Sequence, residues 1–148
     1  MRKLMQKYLK NEKGLTLIEL LVVVVILGII AGIAVLSIGG ILDNSKKDAH
    51  VANAQQMVTS AKMWVTGNAN GSNFTGDTVT LKLSKLYSEN LIDTMKDPDG
   101  GNYDANTSFV TIAKSGNAFT YTVKLVGSKR NIPATLSENL ERSKVRDN

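Results

Sequence analysis

Residues 14–20 read GLTLIEL and join a basic leader to a long apolar run that holds one carboxylate, Glu19, near its start. Between residues 20 and 42 the chain has no charged side chain, and a helix of that length spans about 35 Å at ~1.5 Å per residue. Because the hydrocarbon core of a bilayer is about 30 Å thick, the run predicts a transmembrane helix. A charged side chain in such a helix costs roughly 2.5–3.5 kcal/mol at mid-bilayer and usually marks a partner or a function.

The positive charge of the chain is concentrated ahead of this run. Residues 1–14 hold five of the 18 basic residues and one of the 13 acidic residues, which leaves 13 and 12 for the rest of the chain. The body therefore has no evident electrostatic footprint for a nucleic-acid backbone, and DNA binding is unsupported. By the positive-inside rule, the leader predicts a cytoplasmic N-terminus and a body that lies across the membrane from Asp43 onward.

A secretory signal peptide or an ordinary single-span anchor is an alternative interpretation of the N-terminus. Residues 37–39 read SIG, the kind of small-residue spacing that signal peptidase requires, and this cut would leave a chain that begins at Gly40. The apolar run is longer than the about 7–15 residues that are usual in a signal peptide. Neither interpretation gives Glu19 a role.

Residues 13–21, KGLTLIELL, resemble the class III signal of type IV pilins and type II secretion pseudopilins. The strong part of the resemblance covers residues 10–36. It implies that a prepilin peptidase cuts after Gly14 on the cytoplasmic side and methylates the new Leu15 amine. It also implies that the apolar helix is retained as membrane anchor and fibre core.

The resemblance divides the chain into three parts: a leader at 1–14, a transmembrane and fibre-core helix at 15–42, and an extracytoplasmic globular pilin domain with a polar C-terminal tail at 43–148. Two residues depart from the commonest family pattern. Leu15 stands where phenylalanine is most frequent, and Leu36 stands where many members have a helix-kinking proline.

The resemblance also supplies a partner for Glu19. In the family, the partner implied for this glutamate is the N-terminal amine of a neighbouring subunit, here that of Leu15. Without that partner, the buried charge would oppose assembly by several kcal/mol. Thr16 has two open interpretations: it caps or bonds the backbone near the new terminus in support of assembly, or it is simply tolerated in the helix.

The helical pattern continues beyond a polar belt at residues 43–48. Apolar residues recur at three- and four-residue spacing and predict an amphipathic helix that ends near Gly67; they are Ala54, Met57, Val58, Ala61, Trp64 and Val65. We interpret Met57 and Trp64 as core residues. His50, the only histidine, lies in the polar part of this helix and is expected at the surface.

Alternating and β-branched residues predict strands in the remainder of the chain. Thr78–Leu83 has the pattern of a strand, residues 84–92 fit a short helix, and Ser108–Ala113 with Ala118–Val126 predict a hairpin around a turn at 114–117. The expected fold class is therefore α+β and pilin-like, with a long N-terminal α-helix, apolar in its first half, packed on a small antiparallel β-sheet.

The last segment, Gly127–Asn148, is polar and charged. It is predicted to be a loosely held tail or a short amphipathic helix that begins near Thr135 or Ser137. The lack of cysteine departs from the C-terminal disulfide loop of many Gram-negative pilins and leans slightly toward a Gram-positive pilin or a pseudopilin.

Residues 96–103, KDPDGGNY, form a strong turn signal. They resemble the Asp-Pro-x-Gly segment before the sheet of major pseudopilins, some of which bind calcium there. The resemblance therefore implies four candidate oxygen ligands for calcium, in a spacing that is not that of an EF-hand: Asp93, Asp97, Asp99 and Asp104. A plain turn without a metal is the alternative that we favour.

The sequence offers little for catalysis. It has no cysteine, an isolated histidine, no phosphate-binding glycine motif and no zinc spacing, so we expect a substrate of enzymes rather than an enzyme. The favoured function is the structural subunit of a helical homo-oligomeric filament, first held in the cell membrane and later exposed at the surface. Assembly would need a prepilin peptidase, an assembly ATPase and a platform protein. The alternatives are a pseudopilin of a secretion or competence (DNA-uptake) machine and a monomeric, membrane-anchored binding module.

Overall fold

The computed structural model describes residues 16–68, 74 and 76–148. The chain divides into two compact units, one up to Leu42 and one from Asp43 to Asn148. The helices and strands follow in the order α1 (Leu17–Gly67), β1 (Thr78–Lys82), α2 (Leu83–Ser88), β2 (Phe109–Ser115), β3 (Ala118–Val126), β4 (Arg130–Leu136) and β5 (Arg146–Asp147). The expected α+β class, with a long N-terminal helix and an antiparallel sheet, is confirmed.

In the first unit, the side chains from Thr16 to Leu42 are all exposed. Leu17 and Leu36, for example, are 88% and 84% exposed. A helix that is apolar on every side has no face suited to water, so its stable surroundings are lipid or other apolar helices. By length and composition α1 is able to cross a membrane, which agrees with the predicted transmembrane helix.

In the second unit, the five strands form one antiparallel sheet in which each strand pairs with the next in the order β1-β2-β3-β4-β5. Strands β2 and β3 pair up to Ser115 and Ala118, so the turn is the two residues Gly116 and Asn117 and is shorter than predicted. Gly116 has a φ of 60°, which suits the first position of a type II′ hairpin turn.

The core of the second unit lies between one face of α1 and the inner face of the sheet. The predicted helix stripe is confirmed, because Met57 and Ala61 are fully buried and Trp64 is 4% exposed. The buried sheet residues of the same cluster are Leu81, Val110, Ile112, Val123, Leu125 and Ile132. At roughly 25 cal/mol per Å² of apolar surface, this burial is the main stabilising contribution to the unit.

The first strand is shorter than predicted, because Leu83 begins α2 and does not end β1. Helix α2 confirms the helical interpretation of the segment that follows. It ends with Asn90 in a left-handed conformation, at a φ of 52°. The Leu91 N–H donates to the Leu86 carbonyl at 3.0 Å and the Asn90 N–H donates to the Tyr87 carbonyl at 3.1 Å, which is the Schellman arrangement of a helix end.

The C-terminal prediction is wrong, because this segment contributes strands to the sheet and is neither a loose tail nor an amphipathic helix. Strand β4 pairs with β3 and buries Ile132 completely. Pro133 lies where the register between β3 and β4 shifts, a position that tolerates its missing N–H. In place of the expected helix near Ser137, two 3₁₀ turns form, at Ser137–Asn139 and Arg142–Lys144.

Candidate functional site

Helix α1 begins with a reciprocal cap between Thr16 and Glu19. The Thr16 N–H donates to Glu19 Oε2 at 2.7 Å, and the Glu19 N–H approaches Thr16 Oγ1 at 3.4 Å. The sequence Thr-x-x-Glu is the signature of this capping box, in which two backbone donors of the first turn are satisfied. The structure therefore shows Thr16 capping the first turn of α1, and its role in assembly stays a prediction. Gly14 and Leu15 lie outside the described residues.

The predicted turn at residues 96–103 is present. The Gly100 N–H donates to the Asp97 carbonyl at 3.0 Å, and the Asp97 N–H donates to the Gly101 carbonyl at 3.2 Å. Pro98 occupies the second position of the first turn, where its fixed φ is favourable. Gly100 and Gly101 have φ values of 111° and 82°, which glycine adopts without steric strain.

Two of the four predicted calcium ligands come together in this turn. Asp97 and Asp99 form a group with His50, and the three ligand-type atoms lie within 4.8 Å of one another. Asp104 does not join them; its Oδ1 accepts the N–H groups of Asn106 at 2.9 Å and Thr107 at 3.2 Å. Asp93 is exposed and is not part of this group.

His50 is buried, and its expected surface position is wrong. The side chain is only 1% exposed, with Nε2 at 3.0 Å from Asp99 Oδ2 and 3.7 Å from Asp97 Oδ1. Its Nδ1 lies 2.9 Å from the Tyr103 hydroxyl, which also accepts from Asn53 Nδ2 at 2.9 Å. His50 thus joins helix α1 to the turn at residues 96–103, which we call the acidic turn.

The spacing between His50 and the buried apolar residues of α1 indicates this burial. His50 lies four residues before Ala54 and seven before Met57, so it occupies the same face of α1 as the core. The polar neighbours of His50 in the sequence favour a surface position, whereas its helical phase favours burial. The acidic partners that make its burial acceptable come from a distant segment, which periodicity in the helix does not reveal.

Arg130, the first residue of β4, is a cation that contacts three aspartates at or near the acidic turn. Its Nη2 donates to Asp43 Oδ1, its Nε donates to Asp147 Oδ1 at 3.2 Å, and its Nη1 lies 3.5 Å from Asp99 Oδ1. Lys46 Nζ lies 3.6 Å from the same Asp99 oxygen. The side chain of Asp99 is 3% exposed and that of Arg130 is 14% exposed, so water screens this contact little.

These contacts shift the ionisation of the groups involved. Burial acts to raise the pKa of Asp99, but the hydrogen bond from His50 and the positive charges of Arg130 and Lys46 outweigh it, so the pKa lies below its usual value. Burial acts to lower the pKa of Arg130, and its aspartate partners outweigh that and raise it. Burial is the main cause of the raised pKa of Tyr103. At neutral pH the aspartate and the guanidinium are both charged.

The carboxylate oxygens of this turn already have protein partners. Asp97 Oδ1 accepts the Asp99 N–H at 2.8 Å, and Asp97 Oδ2 accepts the Ser128 N–H at 2.6 Å. Asp99 faces His50, Lys46 and Arg130. Calcium binds six to eight oxygen ligands, and the two cations beside Asp99, Lys46 and Arg130, oppose the approach of this ion. Calcium binding at this turn stays a prediction.

Residues 9–35 match the family model described as the prokaryotic N-terminal methylation motif. The chain carries the type IV pilin and pseudopilin signature. The matched residues include the Thr16–Glu19 cap and most of the exposed apolar part of α1. No curated protein and no solved structure gives a significant match to the chain.

The motif supports an exported protein of the pilin-like or pseudopilin kind, with an N-terminus of the type that prepilin peptidase processes. Its processing and filament assembly are implied in general by the motif. The unburied apolar helix fits a membrane-anchored precursor of such a protein. The sequence motif alone was sufficient for this conclusion, whereas the buried network of His50, Tyr103 and Arg130 was missed.

Proposed function

We propose that the chain is the structural subunit of a type IV pilus or a related filament and that it is not itself an enzyme. The observation that carries the proposal is the pilin signature on residues 9–35, followed by a helix whose apolar side chains are all exposed up to Leu42. A lone subunit satisfies this surface in a bilayer, and an assembled filament satisfies it with the same helices of neighbouring copies.

The proposed maturation and assembly of the chain follow from this change of surroundings, from lipid to neighbouring helices. The precursor has its N-terminus in the cytoplasm and spans the cell membrane once. Prepilin peptidase cuts after Gly14 and methylates Leu15. An assembly ATPase and a platform protein then move the subunit into a filament at the cell surface, with residues 43–148 as the extracytoplasmic domain. The signature is shared by pilins and pseudopilins, so a filament of a secretion or DNA-uptake machine falls within the same proposal.

Glu19 is the residue that we propose to fix the register between subunits. Its carboxylate has two oxygens, and the cap to Thr16 uses Oε2. We assign Oε1 to the methylated Leu15 amine of a neighbouring copy. An ion pair in an apolar bundle tolerates no large axial shift, because a displaced partner leaves a buried charge that costs several kcal/mol.

Thr16 supports this assignment in the proposed assembly. By holding Oε2 against the first turn of α1, the cap restricts the side chain of Glu19 before a neighbour arrives. A restricted side chain loses less conformational entropy when it binds its partner. The carboxylate also lies at the positive end of the helix dipole, where a negative charge is stabilising.

The test is Glu19→Gln, which keeps the size of the side chain and removes its charge. We expect normal membrane insertion and normal leader removal, with filament yield reduced at least about tenfold, since a loss of ~1.4 kcal/mol per contact already has that effect. The matched control is Glu89→Gln, which removes the carboxylate of an exposed residue paired with Lys85 at 3.7 Å and should leave filament yield unchanged.

Electron microscopy of sheared surface material, with gel analysis of membrane fractions, measures both quantities. Normal filaments from Glu19→Gln would refute the proposed pairing. A membrane-held Glu19→Gln subunit with the leader removed and no filaments would separate a failure of assembly from a failure of processing. If the protein is instead a monomeric anchored binding module, we expect no filaments from the wild type or from either variant.

A further inference from the structure

Four carboxylates lie near the acidic turn, and we call them the acidic cluster. They are Asp43, Asp97, Asp99 and Asp147. Arg130 contacts Asp43, Asp99 and Asp147. Lys47 pairs with Asp43 at 3.0 Å and Lys46 with Asp99 at 3.6 Å. Each carboxylate of the cluster therefore has a basic side chain or, in the case of Asp97, His50 as a neighbour.

We propose that Arg130 neutralises these carboxylates in place of a divalent cation. The domain therefore folds without calcium. When Arg130 is replaced by an uncharged residue, the stability of the domain depends on calcium. The proposal concerns residues 43–148 and is independent of whether the chain assembles into filaments.

The shape of the guanidinium makes Arg130 suited to this role. It carries five N–H donors in one plane and so approaches several carboxylates at once, as a metal ion does. Two of its contacts, to Asp43 and Asp147, are hydrogen bonds. Its Nη1 is buried with no hydrogen-bond partner among the described residues, and it faces Asp99 Oδ1 at 3.5 Å, so that contact is a charge–charge interaction.

The burial of Asp99 explains why a cation is required there. A carboxylate that is only 3% exposed is strongly destabilised when no positive charge is near it. Lys46 is 36% exposed and is therefore partly screened by water, whereas Arg130 is 14% exposed. Arg130 is thus the cation with the larger effect on Asp99, and it joins α1, the turn and β5 through its three aspartate partners.

The first test compares thermal unfolding of the full chain in detergent micelles with EGTA and with millimolar calcium. Trp64, the only tryptophan and 4% exposed, reports unfolding of the domain by its fluorescence. We expect the same Tm in both conditions. A Tm that rises in calcium or falls in EGTA would overturn the proposal, because it would show that the wild-type domain uses the ion.

The second test is Arg130→Gln, which keeps much of the side-chain length and removes the charge. We expect a lower Tm in EGTA that calcium raises again, and terbium binding at least about tenfold tighter than in the wild type, equivalent to ~1.4 kcal/mol. Tyr103, next to His50 in the network, is positioned to sensitise terbium luminescence. A variant that stays insensitive to both ions would contradict the proposal.

Arg142→Gln is the matched control. Arg142 makes two hydrogen bonds to Asp48, at 2.8 and 2.6 Å, but both side chains are about half exposed. This variant should gain neither calcium response nor terbium binding, and an equal gain would show a general charge effect and refute a role specific to Arg130. If Arg130→Gln does not fold, Arg130→Lys keeps one charge and should show a smaller calcium response of the same sign; no response would again refute the proposal.

Discussion

At the scale of single residues, Gly127 is the described glycine with the least room for a side chain. A Cβ added there would lie 2.6 Å from Asp97 Oδ2 and 2.8 Å from the Arg130 carbonyl oxygen. Both atoms are held, because Asp97 Oδ2 accepts the Ser128 N–H and the Gly127 N–H donates to that carbonyl at 2.9 Å. Gly127 therefore permits the close packing of the acidic turn against the start of β4.

We expect Gly127→Ala to destabilise the domain by about 1–3 kcal/mol, since neither neighbouring atom is free to move away. Trp64 fluorescence in a denaturant titration measures the change. Gly67→Ala is the control, because a Cβ at Gly67 meets no atom within 4 Å. Equal stability of the two variants would contradict the described packing at Gly127.

The ionisation of Asp99 gives a prediction of how stability depends on pH. Because its folded pKa lies below the unfolded value of about 3.9, the unfolded state binds more protons at acidic pH. The stabilisation by Asp99 is therefore complete above about pH 4 and is lost as the pH falls through the lowered folded pKa.

We expect the Tm of the wild type to fall most steeply below about pH 4. In Asp99→Asn, which has no charge to lose at this position, the fall should be shallower. Melting curves between neutral and strongly acidic pH compare the two proteins. A variant with the same acid profile as the wild type would show that Asp99 is not one of the groups responsible.

At the scale of the helices and strands, the spacing of the apolar residues decided which elements were predictable from the sequence. The stripe from Ala54 to Val65 was readable because it repeats at helical spacing over three turns. Strand β4 was not readable, because Pro133 and the polar residues Arg130 and Asn131 obscure its few buried positions. Its pairing with β3 in the structure supplies the evidence for it. His50 was missed for a related reason: its phase was correct for the core, but its partners are distant in sequence.

The stripe makes a matched test available on one helix. Met57 is fully buried and Met63 is 58% exposed, and both have the same side chain and the same helix propensity. We expect Met57→Ala to destabilise the domain by about 2–5 kcal/mol through the cavity it leaves, and Met63→Ala to change stability by less than about 0.5 kcal/mol. Denaturant titrations of both variants provide the measurement, and similar losses would contradict the assigned core face of α1.

At the scale of the whole molecule, the N-terminal motif and the folded domain carry two kinds of information. The pilin signature came from a short sequence motif, because cleavage and methylation are read from local residues and need no folded domain. The acidic cluster, in contrast, depends on residues from α1, the turn, β4 and β5, and three-dimensional packing was needed to bring them together. The motif supports a pilin-like or pseudopilin protein, and the acidic cluster connects elements of the domain at residues 43–148.

The central claim is that the chain is processed at Gly14 and retains its apolar helix for assembly. The most direct measurement is the intact mass, with N-terminal sequencing, of the native protein recovered from surface filaments or membranes. The account predicts a subunit that begins with a methylated Leu15 and contains every later residue. A native protein that begins at Met1 or near Gly40 would contradict it.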